Sequence, residues 1–354
     1  MKTIHRSILK ELTLTFVLTL AFLNLILMME KLMRLSRFLS GVGASIMDMA
    51  KLIFYLQPQL LLFTIPMALL LSTLLIYGRL NLDSELVILR GSGMNFRDIS
   101  QPVLILGILC FLLNLSVSLF IGPKSGIWLR NEIESVITAR LPMAIEEGTF
   151  NTSFKDVVIM IKEKPSQETF KGIFIYDGRK KNEPKVMVAK DGEIHTSEGL
   201  NTNLLLKNGF VHIAQEDSTT ELFFNRYNMA LRLESDLPSK KNTELTPFEL
   251  IEEIKERPQQ DSSLQLELHR RLSLPLLCII LTFLGPPLSL VAGKAGRLGG
   301  LSVGLGVFTA YYILLMYGEN LVRAAKIPHY VGAWTPTIVL GIFSLWVFKR
   351  ESTK

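Results

Sequence analysis

Residues 53–77 read IFYLQPQLLLFTIPMALLLSTLLIY, twenty-five positions from Ile53 to Tyr77 without Asp, Glu, Lys, Arg or His. A bilayer core is crossed by about 20 apolar residues of helix, with roughly 17–25 accepted. Five more stretches are as free of charge: Leu12–Met29, Ile99–Pro123, Leu272–Ala292, Leu298–Gly318 and Tyr330–Phe348. With the first they total 129 of 354 residues, over a third of the chain. The chain is read as a polytopic α-helical membrane protein with six transmembrane helices, and a single soluble enzyme domain is excluded. Pro58, Pro66, Pro275, Pro286 and Pro287 are expected to kink the second and fourth spans.

The formal charge of +6 is unevenly placed. Residues 124–271 hold 21 Lys/Arg and 24 Asp/Glu, a net of −3, and the remainder carries 17 and 8, a net of +9. The basic balance therefore comes from residues flanking the spans, and no nucleic-acid partner is inferred. With the N-terminus inside, the short inside segments carry 11 Lys/Arg and the short outside segments 6. That bias places both termini in the cytoplasm and 124–271 outside, between the third and fourth helices. The first span lacks a small-x-small site after Met29 and is read as an uncleaved helix. Three regions result: 1–123, 124–271 and 272–354. Cys110 and Cys278 fall inside apolar spans, where they act as small hydrophobes.

Between Phe150 and Leu233 the pattern turns strand-like. Short β-rich runs occur at Val157–Ile161, Gly172–Tyr176, Lys185–Ala189, Thr202–Leu206, Phe210–Ala214 and Glu221–Phe224. Asp177-Gly178, Asp191-Gly192 and Asn208-Gly209 are read as turns between them. A β-sandwich, a jelly roll or an open barrel fits, with a core at about 144–236. Edge strands are expected, either blunted by Lys and loops or open to strand addition by a partner. Thr246-Pro247-Phe248-Glu249 then reads as a capping box opening a short helix.

Motifs that carry chemistry are missing. There is no GxxxxGK[ST], GxSxG or HExxH, the five His lack ligand spacing, and the spans hold no charge that could relay an ion. No catalytic residue, metal or cofactor is expected. Three features remain. Lys31, Arg34 and Arg37 follow the first span at i, i+3 and i+6, within about a 120° arc of a continued helix. An external basic cluster runs against the inside bias. It fits an anionic headgroup, or alternatively snorkelling to ordinary lipid. Asp83-Ser84-Glu85-Leu86 opens a capped surface helix at about 83–93 that Gly91 or Gly93 ends. Such a helix suits docking on a cytoplasmic partner, or serves as a plain connector. Gly300-x-x-x-Gly304 permits close helix packing, including a dimer interface.

Five runs together, in this order, resemble the lipopolysaccharide-export permease family of the LptF/LptG type (YjgP/YjgQ-like). They are Glu30–Arg34, Ser84–Gly93, Leu268–Leu276, Pro287-Leu288-Ser289 and Gly296-Arg297. The resemblance covers essentially the whole chain, and the last two runs lean toward LptF. It implies an inserted periplasmic β-jelly roll and an inner-membrane location in a Gram-negative-type bacterium. The implied partners are a sibling permease (LptF/LptG), a cytoplasmic ATPase dimer of the LptB type and a periplasmic bridge of the LptC/LptA type. By the same resemblance Glu85, with Asp83, Ser84, Leu86, Arg90 and Gly91 around it, couples to the ATPase. Lys31 and Arg34, and in third place Arg37, face the phosphates of the lipopolysaccharide. The expected function is a permease subunit that lifts lipopolysaccharide using a partner's ATP hydrolysis. The alternative is a membrane scaffold or assembly factor that docks partners through its β domain.

Overall fold

The computed structural model describes residues 2–40, 45–144, 146–154, 156–166, 169–179, 183–197, 201–214, 219–231, 242–256, 262–292 and 296–353. Six of its helical stretches are long and apolar enough to cross a membrane. They are α1 (Lys2–Ser40), α2 (Ile46–Leu82), the α4–α5 rod, α7 (Ser262–Ala292), α8 (Gly296–Arg323) and α9 (His329–Ser352). In the rod, α4 (Phe96–Ser116) runs through a π segment, Val117–Ile121, into α5 (Gly122–Ala144). The π turn comes just before Pro123, and the N–H of Gly122 reaches the Val117 carbonyl five residues back. A proline has no N–H for the α ladder, and a wider turn is one way to absorb the mismatch. Short helices α3 (Glu85–Gly91) and α6 (Pro247–Glu256) complete the set. At α6 the capping box forms as read, Thr246 N–H donating to Glu249 Oε2 at 2.6 Å and Glu249 N–H to Thr246 Oγ1 at 3.4 Å.

The chain forms two compact units, one of Met1–Met29, Tyr55–Ile127 and Lys240–Lys354, the other of Glu30–Phe54 and Trp128–Ser239. In the first, α2 and α7 are central. Leu70 and Leu74 of α2 meet Leu274, Leu277, Leu281 and Leu284 of α7 and Tyr311 and Leu315 of α8. Helix α1 is peripheral and mostly exposed, whereas α2 is largely buried. It touches the bundle through Ile8, Leu12 and Phe16. Leu14, Leu18, Phe22, Leu25 and Met29, spaced by three or four, stay exposed.

Proline explains several side-chain bonds between these helices. It withholds the amide that the carbonyl four residues earlier would accept, and in a bilayer that carbonyl needs another donor. Pro66 frees the Leu62 carbonyl, which accepts Asn114 Nδ2 of α4 at 3.3 Å. Pro102 frees that of Asp98, which lies 2.8 Å from His5 Nε2 of α1. Pro275 frees that of Arg271, which accepts Ser118 Oγ of the π segment at 2.9 Å. Arg271 itself is buried, its guanidinium bonded to Glu267 and to the carbonyls of Asn242, Thr243 and Leu245. It ties the incoming chain to the head of α7.

The second unit is built on a six-stranded antiparallel sheet, the inserted β domain of the sequence reading. Its strands are β1 (Phe150–Phe154), β2 (Val157–Glu163), β3 (Thr169–Asp177), β4 (Lys185–Ser197), β5 (Asn201–Ala214) and β6 (Thr219–Leu231). They lie in consecutive order, an up-and-down connection without a Greek-key crossover among the described strands. Alternate residues, among them Val157, Ile159, Ile161, Ile173, Ile175, Met187 and Ala189, face one core. Leu52 of α2 and Ile133 and Val136 of α5 close it.

Two of the expected turns are not turns. Asp191-Gly192 and Asn208-Gly209 lie within β4 and β5, which pair in one register from Lys185–Ile213 to Ser197–Asn201, interrupted only at Lys190 and Asn208. Asn208 takes φ 54° and is skipped by the pairing on both sides, while the register on either side of it is kept. Gly209, opposite Phe224, makes room for that ring, which a Cβ would approach to 2.7 Å. The glycines are there for close approach, and full-length pairing overrides their turn propensity. Asp177-Gly178 does end a strand. Burial raises the Asp177 carboxyl, but hydrogen bonds and charge from Arg179, with Lys185, outweigh it and hold it below the usual carboxylate range. The contacts are 2.8 Å from Arg179 Nε and 2.6 Å from Nη2.

Candidate functional site

Helix α3 is seven residues long and gets its shape from its ends. Ser84 precedes it at φ 59°, and its side chain makes no capping bond. The expected hydroxyl cap is not made, and the Ser84 carbonyl opens the helix by accepting the N–H of Val87 and Ile88 at 3.1 Å each. Gly91 is the last helical residue and Gly93, at φ 88°, makes the stop. Gly93 N–H bonds the Arg90 carbonyl and Met94 N–H the Leu89 carbonyl, the paired bonds of a Schellman end, whose left-handed position suits glycine.

One residue anchors this helix. Leu86 is buried with Tyr77, Leu80, Met94 and Ile99. Around it Asp83, Ser84 and Glu85 are exposed. Val87 and Ile88 are 65% and 69% exposed. The outward surface is therefore a carboxylate beside two bare aliphatic side chains, on a platform stiffened from three sides. Tyr77 OH donates to the Ile99 carbonyl at 2.6 Å, and Arg79 pairs with Glu11 at 2.7 Å. Arg90 points inward, pairing with Glu351 of α9 at 3.3 Å and lying 5.0 Å from the Phe96 ring centre. It is a latch between α3 and the end of α9, a role its place in the sequence does not reveal.

Lys31 and Arg34 lie on the last turns of α1, within the second unit. Arg34 pairs with Glu30 one turn back at 3.1 Å, both exposed. Such a pair is worth well under about 1 kcal/mol, so a stronger anion can displace the carboxylate. Lys31 is half-buried. It has no ionic partner among the described residues. The side chain of Arg37 lies outside the described residues.

Gly300 and Gly304 are both buried. A Cβ at Gly304 would come within 2.7 Å of Leu71 and 2.8 Å of Leu74. At Gly300 it would meet Leu74 at 3.7 Å. The dimer interface suggested by their spacing is therefore occupied by α2 of the same chain. Sequence reasoning missed the similar approaches of Gly285 to Thr73 and of Gly318 to Gly332. Neither belongs to a Gly-x-x-x-Gly spacing, and each meets a partner on another helix.

The chain is 28% identical over 208 residues to an uncharacterized protein of Rickettsia prowazekii (strain Madrid E), 58% of this chain and 57% of that protein. The chain thus spans little more than half the length of that curated relative. A family model, lipopolysaccharide export system permease LptF/LptG, matches residues 6–350. The match takes in all six long helices, α3 and the inserted sheet, and so the chain belongs to the LptF/LptG family of lipopolysaccharide export permeases.

Proposed function

We propose that this protein is the membrane permease subunit of an ABC-type exporter that extracts lipopolysaccharide from the inner membrane and passes it to a periplasmic β-jelly-roll bridge of the LptC/LptA type. A cytoplasmic ATPase dimer of the LptB type drives it, and a sibling permease completes the membrane part. The observation that carries the reading is α3, where Leu86 is rooted in the bundle and Glu85, Val87 and Ile88 are turned out. A helix held by one buried leucine and latched by Arg90 to α9 can pass a push from a partner into the spans. Both termini face the cytoplasm and 124–271 the periplasm, in keeping with 11 Lys/Arg on the short inside segments against 6 outside. The regions are then 1–123, 124–271 with its β core at about 144–236, and 272–354.

The lipid path follows from α1. Its bare row from Leu14 to Met29 offers acyl chains an apolar wall, and Lys31, Arg34 and Arg37 follow on the same helix to hold phosphates. In the described sheet β1 and β6 are the end strands, and Phe223 on β6 is 83% exposed. An open edge of this kind takes a strand of the bridge by addition. The Pro287-Leu288-Ser289 and Gly296-Arg297 runs favour the LptF role.

The test is reconstitution with the ATPase and sibling subunits. Glu85→Lys reverses the docking charge and is expected to abolish lipid-stimulated ATP hydrolysis and transport while the chain still inserts. Undiminished stimulation in that variant sinks the coupling role. Failure of the wild-type chain to copurify with an ATPase subunit favours the scaffold reading instead.

A further inference from the structure

A second place suited to an amphiphile lies at the membrane end where α4 begins and α9 finishes. There α4, α7 and α9 leave a cleft of about 460 Å³. Leu104, Phe283, Leu345 and Phe348 line it together with the exposed cations Arg97 and Lys349. No carboxylate is among the lining residues. The nearby Glu351 is engaged by Arg90, and Asp98 accepts from Gln101. Arg97 and Lys349 are exposed and make no ion pair among the described residues. The hydroxyls of Ser100 and Thr282 on the wall donate to carbonyls of their own helices. The polar recognition on offer is thus two free cations, helped by the first turn of α4, whose N-terminus has no side-chain cap.

Ordinary flanking cations sit on a convex surface and touch whichever headgroup passes. This pair instead lines a slot whose wall holds the Phe283 and Phe348 rings, edge to face at 5.3 Å, with the Phe96 ring 5.6 Å from Phe348. We propose that the α4–α7–α9 cleft is a binding site for one anionic glycerophospholipid, its phosphate between Arg97 and Lys349 and its upper acyl segments against Leu104, Phe283 and Leu345. Charge complementarity selects the anionic headgroup, and the apolar lining requires the chains, so free phosphate does not suffice. The same two cations latch the site next to the Arg90–Glu351 pair, so an occupied cleft holds the ends of α4 and α9 together.

The experiment uses the full-length chain in mild detergent with an equimolar mixture of phosphatidylglycerol and phosphatidylcholine, read by native mass spectrometry. One phosphatidylglycerol per chain is expected to be retained preferentially. Arg97→Gln with Lys349→Gln lowers the anionic-to-zwitterionic ratio roughly tenfold, the effect of losing two charged contacts. Leu104→Trp fills the slot with both cations intact and lowers the ratio equally, whereas Arg97→Lys with Lys349→Arg preserves it. An unchanged ratio in the double Gln variant overturns the site. So does a wild-type ratio in Leu104→Trp, which reduces the effect to surface charge. A Leu345→Cys variant that cross-links in membranes to a second copy or to another protein's helix also overturns it, because the slot is then filled by protein.

Discussion

Ser118 Oγ donates to the carbonyl of Arg271 at 2.9 Å, the carbonyl that Pro275 leaves without its helical amide. The bond joins the π segment of the third span to the head of the fourth, beside the guanidinium that holds the return linker. Ser118→Ala is expected to cost about 1 kcal/mol in detergent unfolding, within the range measured for hydrogen bonds between membrane helices. Pro275→Ala restores the missing N–H, and in that background the cost should largely disappear. A double-mutant cycle with no coupling would show that the proline and the serine are unrelated.

The two glycines of α8 should respond differently. A Cβ at Gly304 runs into Leu71 and Leu74, whereas one at Gly300 makes ordinary contact with Leu74. Gly304→Val is expected to destabilise the bundle by about 1–3 kcal/mol and Gly300→Ala to be near neutral. Thermal unfolding midpoints of the two variants check this, and equal midpoints contradict the packing of α8 on α2.

Headgroup capture is tested on α1. Lys31→Glu with Arg34→Glu reverses two positive charges, and photocrosslinking of lipopolysaccharide to a probe at Phe22 or Met29 should fall by roughly tenfold or more. Because Arg34 makes only an exposed pair with Glu30, folding is expected to be unaffected. Undiminished crosslinking removes these residues from the lipid path.

The β domain should carry an acid-sensitive element at Asp177. Its folded carboxyl lies below the ordinary value of about 3.9, so the folded state favours the ionised form. That contribution is fully present above the unfolded value and is lost as pH falls through the lower folded one. Asp177→Asn should therefore be less stable than wild type at neutral pH, and the gap should begin to narrow near about pH 4 and close below the lower folded value. A gap that stays constant down to pH 2 assigns the loss to something other than the charge.

Much of this fold is legible because bilayers and sheets impose strong patterns. The charge-free runs mark the six long helices, and the strand-rich stretch after Phe150 marks the sheet. The resemblance to the family is read from runs such as Ser84–Gly93, and the family match spans 6–350. Hidden in the sequence are the partners. A helix in lipid is apolar all round, so its periodicity does not say which face meets protein. Arg90 finds Glu351 261 positions away, and Gly304 finds Leu71 on a helix that nothing in Gly300-x-x-x-Gly304 names. Asn208-Gly209 misleads because its local preference is for a turn, while the pairing of β4 with β5 is settled by the whole strand.

The proline-freed carbonyls also impose an order of events on biogenesis. Those of Asp98 and Arg271 meet donors, His5 and Ser118, that have already left the ribosome when they emerge. The carbonyl of Leu62 does not, because Asn114 follows 52 residues later. During synthesis α2 thus waits one bond short, and a nascent chain halted between these two residues is the form the insertion machinery has to shelter.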